Sequence, residues 1–257
     1  MVKGIEKFKS TFKDYNDQFI LIGGTACDNL MDEAGLDFRA TRDLDIVLIV
    51  ELLESEFIKA FWNFIIEGGY EHKQKSSGKN QFYRFTKPND SSFPFMIELF
   101  SRKLESFNLP EESTLTPIPA AEEITNLSAI LLDDNYYDFI ITHRIEIEDL
   151  PMVNAECLIP LKAKAWMDLS VRKERGENIK SRDIKKHKND IIRLCQLLSA
   201  GKSISLPQSI RDDMVGFIKK YEQEPNINPK NLGIQIETDV VFKRLKEYYQ
   251  LKDIGVK

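Results

Sequence analysis

Two aspartates separated by one residue, Asp43 and Asp45, stand at the start of an apolar run that continues to Val50. Side chains alternate between the two faces of a β-strand, so these carboxylates lie on one face and can bind the same divalent cation. Earlier in the chain, Gly23-Gly24-Thr25 follows the apolar segment 19–22. Glycines carry no Cβ, and a phosphate chain can therefore approach their backbone N–H groups closely. The combination predicts chemistry on the phosphates of a nucleotide.

A third carboxylate with a suitable setting is Glu98, the one acidic residue in the apolar run 95–100. Mg²⁺ prefers hard oxygen ligands in octahedral geometry. Two such ions, about 3.5–4 Å apart, stabilise the entering and the leaving oxygen of a phosphoryl displacement. We therefore predict that Asp43, Asp45 and Glu98 bind Mg²⁺ in a two-metal site, with a nucleoside triphosphate (NTP) as substrate. The alternative is a solvated strand edge in which Glu98 forms an ordinary salt bridge.

The segment 22–46 resembles the signature of the DNA polymerase β-like nucleotidyltransferase superfamily, in which hydrophobic-Gly-Gly/Ser and a helix precede Asp-hydrophobic-Asp. The run Arg39-x-Thr41-x-Asp43-Leu44-Asp45 is similar to the AbiEii-type branch, known for toxins of type IV toxin–antitoxin and phage-defence systems. The linker between glycines and aspartates is longer than in the minimal superfamily pattern. Glu98 stands where the commoner residue is Asp. The resemblance covers roughly residues 1–100.

This resemblance implies an enzyme that transfers a nucleoside monophosphate from an NTP to an acceptor hydroxyl and releases pyrophosphate. It implies that Gly23, Gly24 and Thr25 hold the triphosphate. Arg39 would brace the acidic cluster or contact a phosphate, and Thr41 would fix the turn through a backbone hydrogen bond. By the same resemblance the acceptor is an RNA end such as that of tRNA, and the protein partner is an antitoxin.

A weaker similarity to the same branch lies between residues 162 and 194, where a helix lysine is followed by aspartates. It implies that Lys162 contacts the triphosphate and that Asp183 or Asp190 lies near the site. Lys164 is the alternative lysine, on a different face of the helix. Asp183 also fits a structural role, because the helix macrodipole favours an acidic residue in a first turn whatever its function.

Charge is distributed unevenly along the chain, whose net charge is −5. Residues 1–156 carry 15 Lys and Arg against 28 Asp and Glu, a net of −13, whereas residues 157–257 carry 21 against 13, a net of +8. Eight of these basic residues fall within 172–188, ending at Lys188. An acidic half beside a basic half predicts a bound polyanion such as RNA at 172–188. Solvated lysine-rich helices are the alternative.

Mixed strand and helix patterns come first along the chain, and helix patterns alone follow. We predict an α/β (α+β) fold, with a polymerase β-like nucleotidyltransferase domain containing a mixed sheet over 1–153 and a helical domain over 154–257. The predicted strands are 19–22, 43–51, 81–86, 93–100 and a hairpin of 127–132 with 136–147, with 109–119 irregular. The predicted helices are 3–15, 25–34, 54–67, 157–175, 181–200, 205–223 and 237–251. Ser181 and Ser205 are the predicted N-caps.

The bulk sequence predicts a soluble cytoplasmic protein with no membrane partner. No apolar run approaches the roughly 20 residues of a membrane-spanning helix, and the polar start MVKGIEKFKS has no signal-peptide core. Cys27, Cys157 and Cys195 form no C-x-x-C pair, which fits a reducing compartment.

Two other functions fit the same residues. One is a nucleotidyltransferase that modifies a small molecule such as an aminoglycoside or lincosamide-like antibiotic, which an acidic pocket for a cationic drug would favour. The other is a non-catalytic nucleotide-binding or regulatory protein that keeps the fold.

Overall fold

The computed structural model describes residues 2–72, 83–103, 115–118, 128–223 and 229–251. The chain divides into two compact units, Met1–Asn154 and Ala155–Lys257. In the described residues the first unit combines a mixed sheet with helices, and the second contains helices without strands. The predicted α/β fold with a mixed sheet is therefore confirmed.

One nine-stranded sheet forms the centre of the first unit in the described residues. Its strands are β1 (Phe19–Ile22), β2 (Asp43–Leu48), β3 (Glu71–His72), β4 (Arg84–Thr86), β5 (Met96–Ser101), β6 (Leu115–Pro117), β7 (Ser128–Leu131), β8 (Arg144–Ile147) and β9 (Leu150–Val153). The main order is β3-β4-β5-β2-β1-β9-β8, and β7 pairs with both β5 and β6. Strand β2 runs antiparallel to β1 and parallel to β5, and β4 runs antiparallel to β5. These four central strands carry the candidate site.

The helices of the first unit are α1 (Ile5–Phe12), α2 (Gly23–Glu33), α3 (Ser55–Gly68) and α4 (Asp134–Thr142). Helix α3 buries an apolar stripe whose members are all 2% exposed or less: Phe57, Ile58, Phe61, Phe64 and Ile65. Aromatic contacts join this stripe to α1 through Phe12, to β1 through Phe19 and to β4 through Phe85. The aromatic cluster anchors α1 and α3 on the strands that precede and flank the aspartates.

The predicted hairpin over 127–147 is wrong in its second half. Strand β7 forms, but α4 replaces the next strand, and β8 begins only at Arg144. The carboxylate of Asp133 caps α4 by accepting a hydrogen bond from the backbone N–H of Asn135 at 3.1 Å. The buried residues follow helical spacing: Tyr136, Tyr137, Phe139 and Ile140. A favourable cap and this spacing outweigh the strand preference of aromatic and β-branched residues.

Smaller differences concern element ends. Ser181 is the first residue of its helix rather than the N-cap, and its hydroxyl accepts a hydrogen bond from Lys173 at 2.5 Å. Ser205 does not cap the next helix, which begins at Gln208. Residues 115–117 form β6 inside a segment predicted to be irregular. Positions 81 and 82 of the predicted strand 81–86 lie outside the described residues.

The helices of the second unit are α5 (Ala155–Glu174), α6 (Ser181–Leu194), α7 (Gln208–Gln223) and α8 (Thr238–Tyr248), close to the four predicted ranges. Aromatic contacts connect Trp166 of α5 to Phe217 of α7, Phe217 to Tyr221, and Tyr221 to Phe242 of α8. Within the described part of the chain, no helix has the length and apolar character needed to cross a membrane.

Candidate active site

The turn from β1 into α2 packs directly against the second aspartate of β2. Gly23 has φ +71°, in the left-handed region that favours glycine. A Cβ on Gly23 would overlap the carboxylate of Asp45, whose Oδ2 fills that space. This contact follows from the strand register, because Ile22 at the end of β1 lies opposite Asp45. Because Gly23 has no side chain, the Asp45 carboxylate can occupy this space.

The next two residues of α2 hold the segment that leads into β2. A Cβ on Gly24 would overlap Oγ1 of Thr41 and lie 3.8 Å from Nη2 of Arg39. The fully buried Thr25 donates a hydrogen bond from Oγ1 to the main-chain oxygen of Asp43 at 2.8 Å. The structure thus gathers the predicted phosphate-binding residues around the start of α2. Within the protein, Thr25 ties α2 to the first residue of β2.

The predicted metal ligands lie side by side on neighbouring strands. Asp45 of β2 is in register with Glu98 of β5, and Asp43 with Met96. Paired residues of adjacent strands share a face, and the intervening Leu44 is completely buried on the other face. Asp43, Asp45 and Glu98 therefore lie on one face of the sheet. Their side chains are not drawn together, since in the described residues no three His, Cys, Asp or Glu form a group able to hold a metal.

Next to Glu98 lies Arg84, a residue that was not predicted from the sequence to belong to the site. Arg84 of β4 lies opposite Glu98 in the antiparallel β4–β5 pair. Its Nε and Nη2 both contact Oε1 of Glu98. The Glu98 side chain is 12% exposed and that of Arg84 is 32% exposed. The only sequence signal for Arg84 is a basic residue in a short strand, and its partner depends on a strand register that the sequence does not specify.

The donor set fits Mg²⁺. This ion keeps several waters and is usually bound through one or two carboxylates together with substrate phosphates. Asp43 and Asp45 supply two hard oxygen donors on one face of β2. The start of α2 lies against Asp45 at Gly23, and a helix N-terminus presents unpaired backbone N–H groups and a positive dipole end to an anion. A metal–triphosphate complex is the ligand that this combination of groups suits.

The predicted residues of the helical unit form a buried ion pair of their own. Nζ of Lys162 lies 3.5 Å from Oδ2 of Asp190, and the two residues are 4% and 0% exposed. Nη1 of Arg193 lies 4.0 Å from the other oxygen of Asp190. Asp183 lies instead in the first turn of α6, with its side chain 43% exposed. The alternative lysine, Lys164, is paired with two other aspartates of the helical unit.

The basic segment 172–188 is exposed over most of its length but not at its end. Six of its basic residues are exposed: Arg172, Lys173, Arg175, Lys180, Arg182 and Lys185. Lys188 is only 6% exposed, and its ammonium lies 4.0 Å from the ring centroid of Tyr221. Including Lys188 in a polyanion surface was therefore wrong, because its charge is placed against an aromatic ring inside the helical unit.

Comparisons with known proteins give limited guidance. No protein-family model matches the sequence, and no curated protein matches it. Among solved structures, a crystal structure of an antigenic nucleotidyltransferase-like protein from Paracoccidioides brasiliensis is 14% identical over 93% of this chain and 97% of that one, with a TM-score of 0.46.

Two further solved structures are similar to a lower degree. The solution structure of the antibiotic-resistance factor ANT(2'')-Ia is 14% identical over 86% of this chain and 92% of that one, with a TM-score of 0.37. The Megavirus polyadenylate synthase is 11% identical over 86% of this chain and 36% of that one, with a TM-score of 0.37. Because all three TM-scores are below 0.5, a functional assignment has to rest on the residues of this chain.

Proposed function

We propose that the protein is a divalent-metal-dependent nucleotidyltransferase, which moves a nucleoside monophosphate from an NTP to an acceptor hydroxyl. The observation that carries this proposal is the contact between Gly23 and the Asp45 carboxylate. It places the start of α2, which would bind the phosphates, against Asp45, one of the two carboxylates that would bind the metal. Neither feature alone would indicate a nucleotide, but a metal-bound triphosphate needs both.

In this proposal, one set of residues binds the metal and another binds the phosphates. Asp43 and Asp45 would hold Mg²⁺, with Glu98 as a third ligand. Bound Mg²⁺ neutralises phosphate charge and stabilises both the entering and the leaving oxygen. Backbone N–H groups of Gly23, Gly24 and Thr25 would bind the triphosphate, and Arg39, near Gly24, would contact a phosphate.

The transfer itself is a balanced displacement at the α-phosphorus. The acceptor oxygen forms a bond to this phosphorus, and the bond from the phosphorus to the bridging oxygen of pyrophosphate breaks. The proton of the acceptor hydroxyl passes to solvent, and pyrophosphate leaves with the bonding electron pair.

The first experiment is a labelling assay with the protein, Mg²⁺, each of four α-labelled NTPs and total cellular RNA. The test variant is Asp43→Asn/Asp45→Asn. The matched control is Asp14→Asn/Asp17→Asn, which removes the same charge from two exposed positions of the first unit. We expect label to enter an acceptor with the parent and the control but not with the test variant. Equal labelling by all three proteins would refute the metal assignment.

The acceptor in this proposal is RNA, supported by the exposed basic residues of 172–188. Replacing two phosphate contacts should reduce the slope of log affinity against log salt by about 1.4 for a single strand. Lys180→Ala/Lys185→Ala is the test variant, and Lys219→Ala/Lys243→Ala removes two exposed lysines elsewhere in the same unit. An unchanged slope in Lys180→Ala/Lys185→Ala would place the RNA surface outside 172–188.

The labelling assay also separates the alternative functions. Label on a protein band would indicate a protein acceptor. Release of pyrophosphate only with an aminoglycoside or lincosamide would indicate a drug-modifying enzyme. Metal-dependent NTP binding with no transfer to any acceptor would indicate a binding or regulatory protein.

The AbiEii-type resemblance supports a biological setting for this activity, a toxin of a toxin–antitoxin pair whose partner is an antitoxin. Induced expression of the parent protein should then arrest growth of the host cell. The Asp43→Asn/Asp45→Asn variant should permit growth at the same protein level. Growth arrest by both proteins would show that the arrest does not depend on nucleotidyl transfer.

A further inference from the structure

Arg84 contacts the Glu98 carboxylate at one of its two oxygens, and this arrangement bears on the candidate metal site. Both contacting nitrogens of Arg84 reach the same oxygen of Glu98, Oε1. Within the described residues, no hydrogen bond or ion pair reaches Oε2 of Glu98. Glu98 is also in register with Asp45 on the neighbouring strand. Arg84 therefore holds one oxygen of Glu98, and the other has no partner among the described residues.

We propose that Arg84 is a positioning residue, which holds Glu98 by Oε1 so that Oε2 can serve the divalent cation bound by Asp45. The proposal rests on the proposed nucleotidyltransferase function. Arg84 itself touches neither the cation nor the substrate in this assignment, and it acts through Glu98.

A physical reason for such a partner is the length of the Glu98 side chain. Glutamate has one more rotatable bond than aspartate, so its carboxylate is less well placed by the backbone alone. The planar guanidinium of arginine offers N–H groups in a fixed geometry and can restrain a carboxylate. Groups that orient metal ligands in this way typically change metal affinity or activity by about 10- to 100-fold when they are removed.

Arg84 also has an effect of the opposite sign on cation binding, so the sign of the change on its removal distinguishes the two effects. A guanidinium close to a cation site repels the cation, so its removal would strengthen metal binding if repulsion dominated. A purely structural ion pair would leave metal binding unchanged, because it would not set the position of a cation ligand. Arg84→Gln therefore weakens cation binding only if Arg84 positions Glu98.

The experiment measures Mn²⁺ binding by electron paramagnetic resonance titration and the Mg²⁺ dependence of transfer. The variants are Arg84→Gln, Arg84→Lys and the control Arg102→Gln. Arg102 is also paired with a glutamate, Glu51, and its side chain is 31% exposed against 32% for Arg84. Melting temperatures show that each variant is folded.

We expect Arg84→Gln to raise the Mn²⁺ dissociation constant and the Mg²⁺ requirement by about 10- to 100-fold. Arg84→Lys should recover part of this loss, and Arg102→Gln should match the parent. Unchanged or tighter Mn²⁺ binding in Arg84→Gln would overturn the positioning role. If Arg84→Gln does not fold, parent-like binding by Arg84→Lys would overturn a role for the guanidinium fork. A parent that neither binds Mn²⁺ nor transfers label would instead overturn the proposed function, and this role with it.

Discussion

Replacing Gly23 with alanine should displace Asp45 and thereby remove nucleotidyl transfer. The left-handed backbone at this position costs an L-residue about 1–2 kcal/mol, which corresponds to a melting shift of about 2–4 °C for each kcal/mol. A second effect comes from the overlap between the new Cβ and the Asp45 carboxylate. The new Cβ would lie 1.8 Å from Oδ2 of Asp45, and ordinary contact begins at 3.4 Å, so the carboxylate oxygen has to retreat by about 1.6 Å. A misplacement of about 1 Å is enough to lower the rate about 100-fold.

Gly35 provides a control in which these two effects are separated. It also lies in the left-handed region, with φ +67°, but no described atom lies within 4 Å of a Cβ built there. Gly35→Ala should therefore show the backbone cost alone. Its unfolding free energy should fall by about 1–2 kcal/mol, with transfer and Mn²⁺ binding equal to those of the parent.

Urea unfolding, the labelling assay and Mn²⁺ titration would be performed on both variants. We expect Gly23→Ala to be less stable than Gly35→Ala and to lose transfer by about 100-fold, or about 2.7 kcal/mol of transition-state stabilisation. A Gly23→Ala protein with parent-like transfer would refute the argument that Gly23 positions Asp45. Equal loss of transfer in both variants would show that general destabilisation, rather than Asp45, is responsible.

Three further predictions concern the buried groups. Lys162→Met should lower the unfolding free energy by about 3 kcal/mol because Asp190 loses its ammonium partner, whereas Lys162→Met/Asp190→Leu should recover most of that loss in urea denaturation. Burial acts to raise the pKa of Glu51, but hydrogen bonds from the Tyr137 hydroxyl at 2.7 Å and from a nearby arginine outweigh it and hold the pKa below 4.5. The stability from this lowered pKa is present above the unfolded-state pKa and is lost as the pH falls through the folded-state pKa. Tyr137→Phe should therefore lower the unfolding free energy more at pH 7 than in acid, which urea denaturation at the two pH values would test. Burial raises the pKa of Cys195 to about 11, so at pH 8 this thiol should react with a colorimetric thiol reagent only on unfolding.

The elements that could be predicted from the sequence are those with a strong local pattern. Strand β1 is four consecutive apolar residues before a glycine pair, and its predicted and observed limits coincide. Helix α3 follows from the spacing of its buried stripe between Phe57 and Ile65. Asp43 and Asp45 share a face because of strand alternation alone, which needs no knowledge of the tertiary structure.

Other features depend on contacts that the local sequence does not contain. Arg84 meets Glu98 because β4 pairs with β5 in one particular register, and that register depends on the core and on the intervening turn. The role of Gly23 could be predicted only as a phosphate contact, whereas the structure shows a contact with Asp45. The error at α4 has a local cause, because Asp133, which caps this helix, lies between the two predicted strands, where a hairpin turn is expected. Asp is common in both settings.

Stability alone does not explain the ion pair between Lys162 and Asp190. The two helices that carry the pair bury apolar side chains at the surrounding positions: Leu158, Ile159, Ala163, Ile191 and Leu194. Apolar residues often replace a buried ion pair without loss of stability, because the desolvation penalty offsets much of the Coulomb attraction. We propose instead that the ammonium itself is required, in the triphosphate-binding role that the resemblance implies for Lys162. The double replacement Lys162→Met/Asp190→Leu would then give a stable protein without transfer, whereas a purely structural pair predicts a stable protein with full transfer.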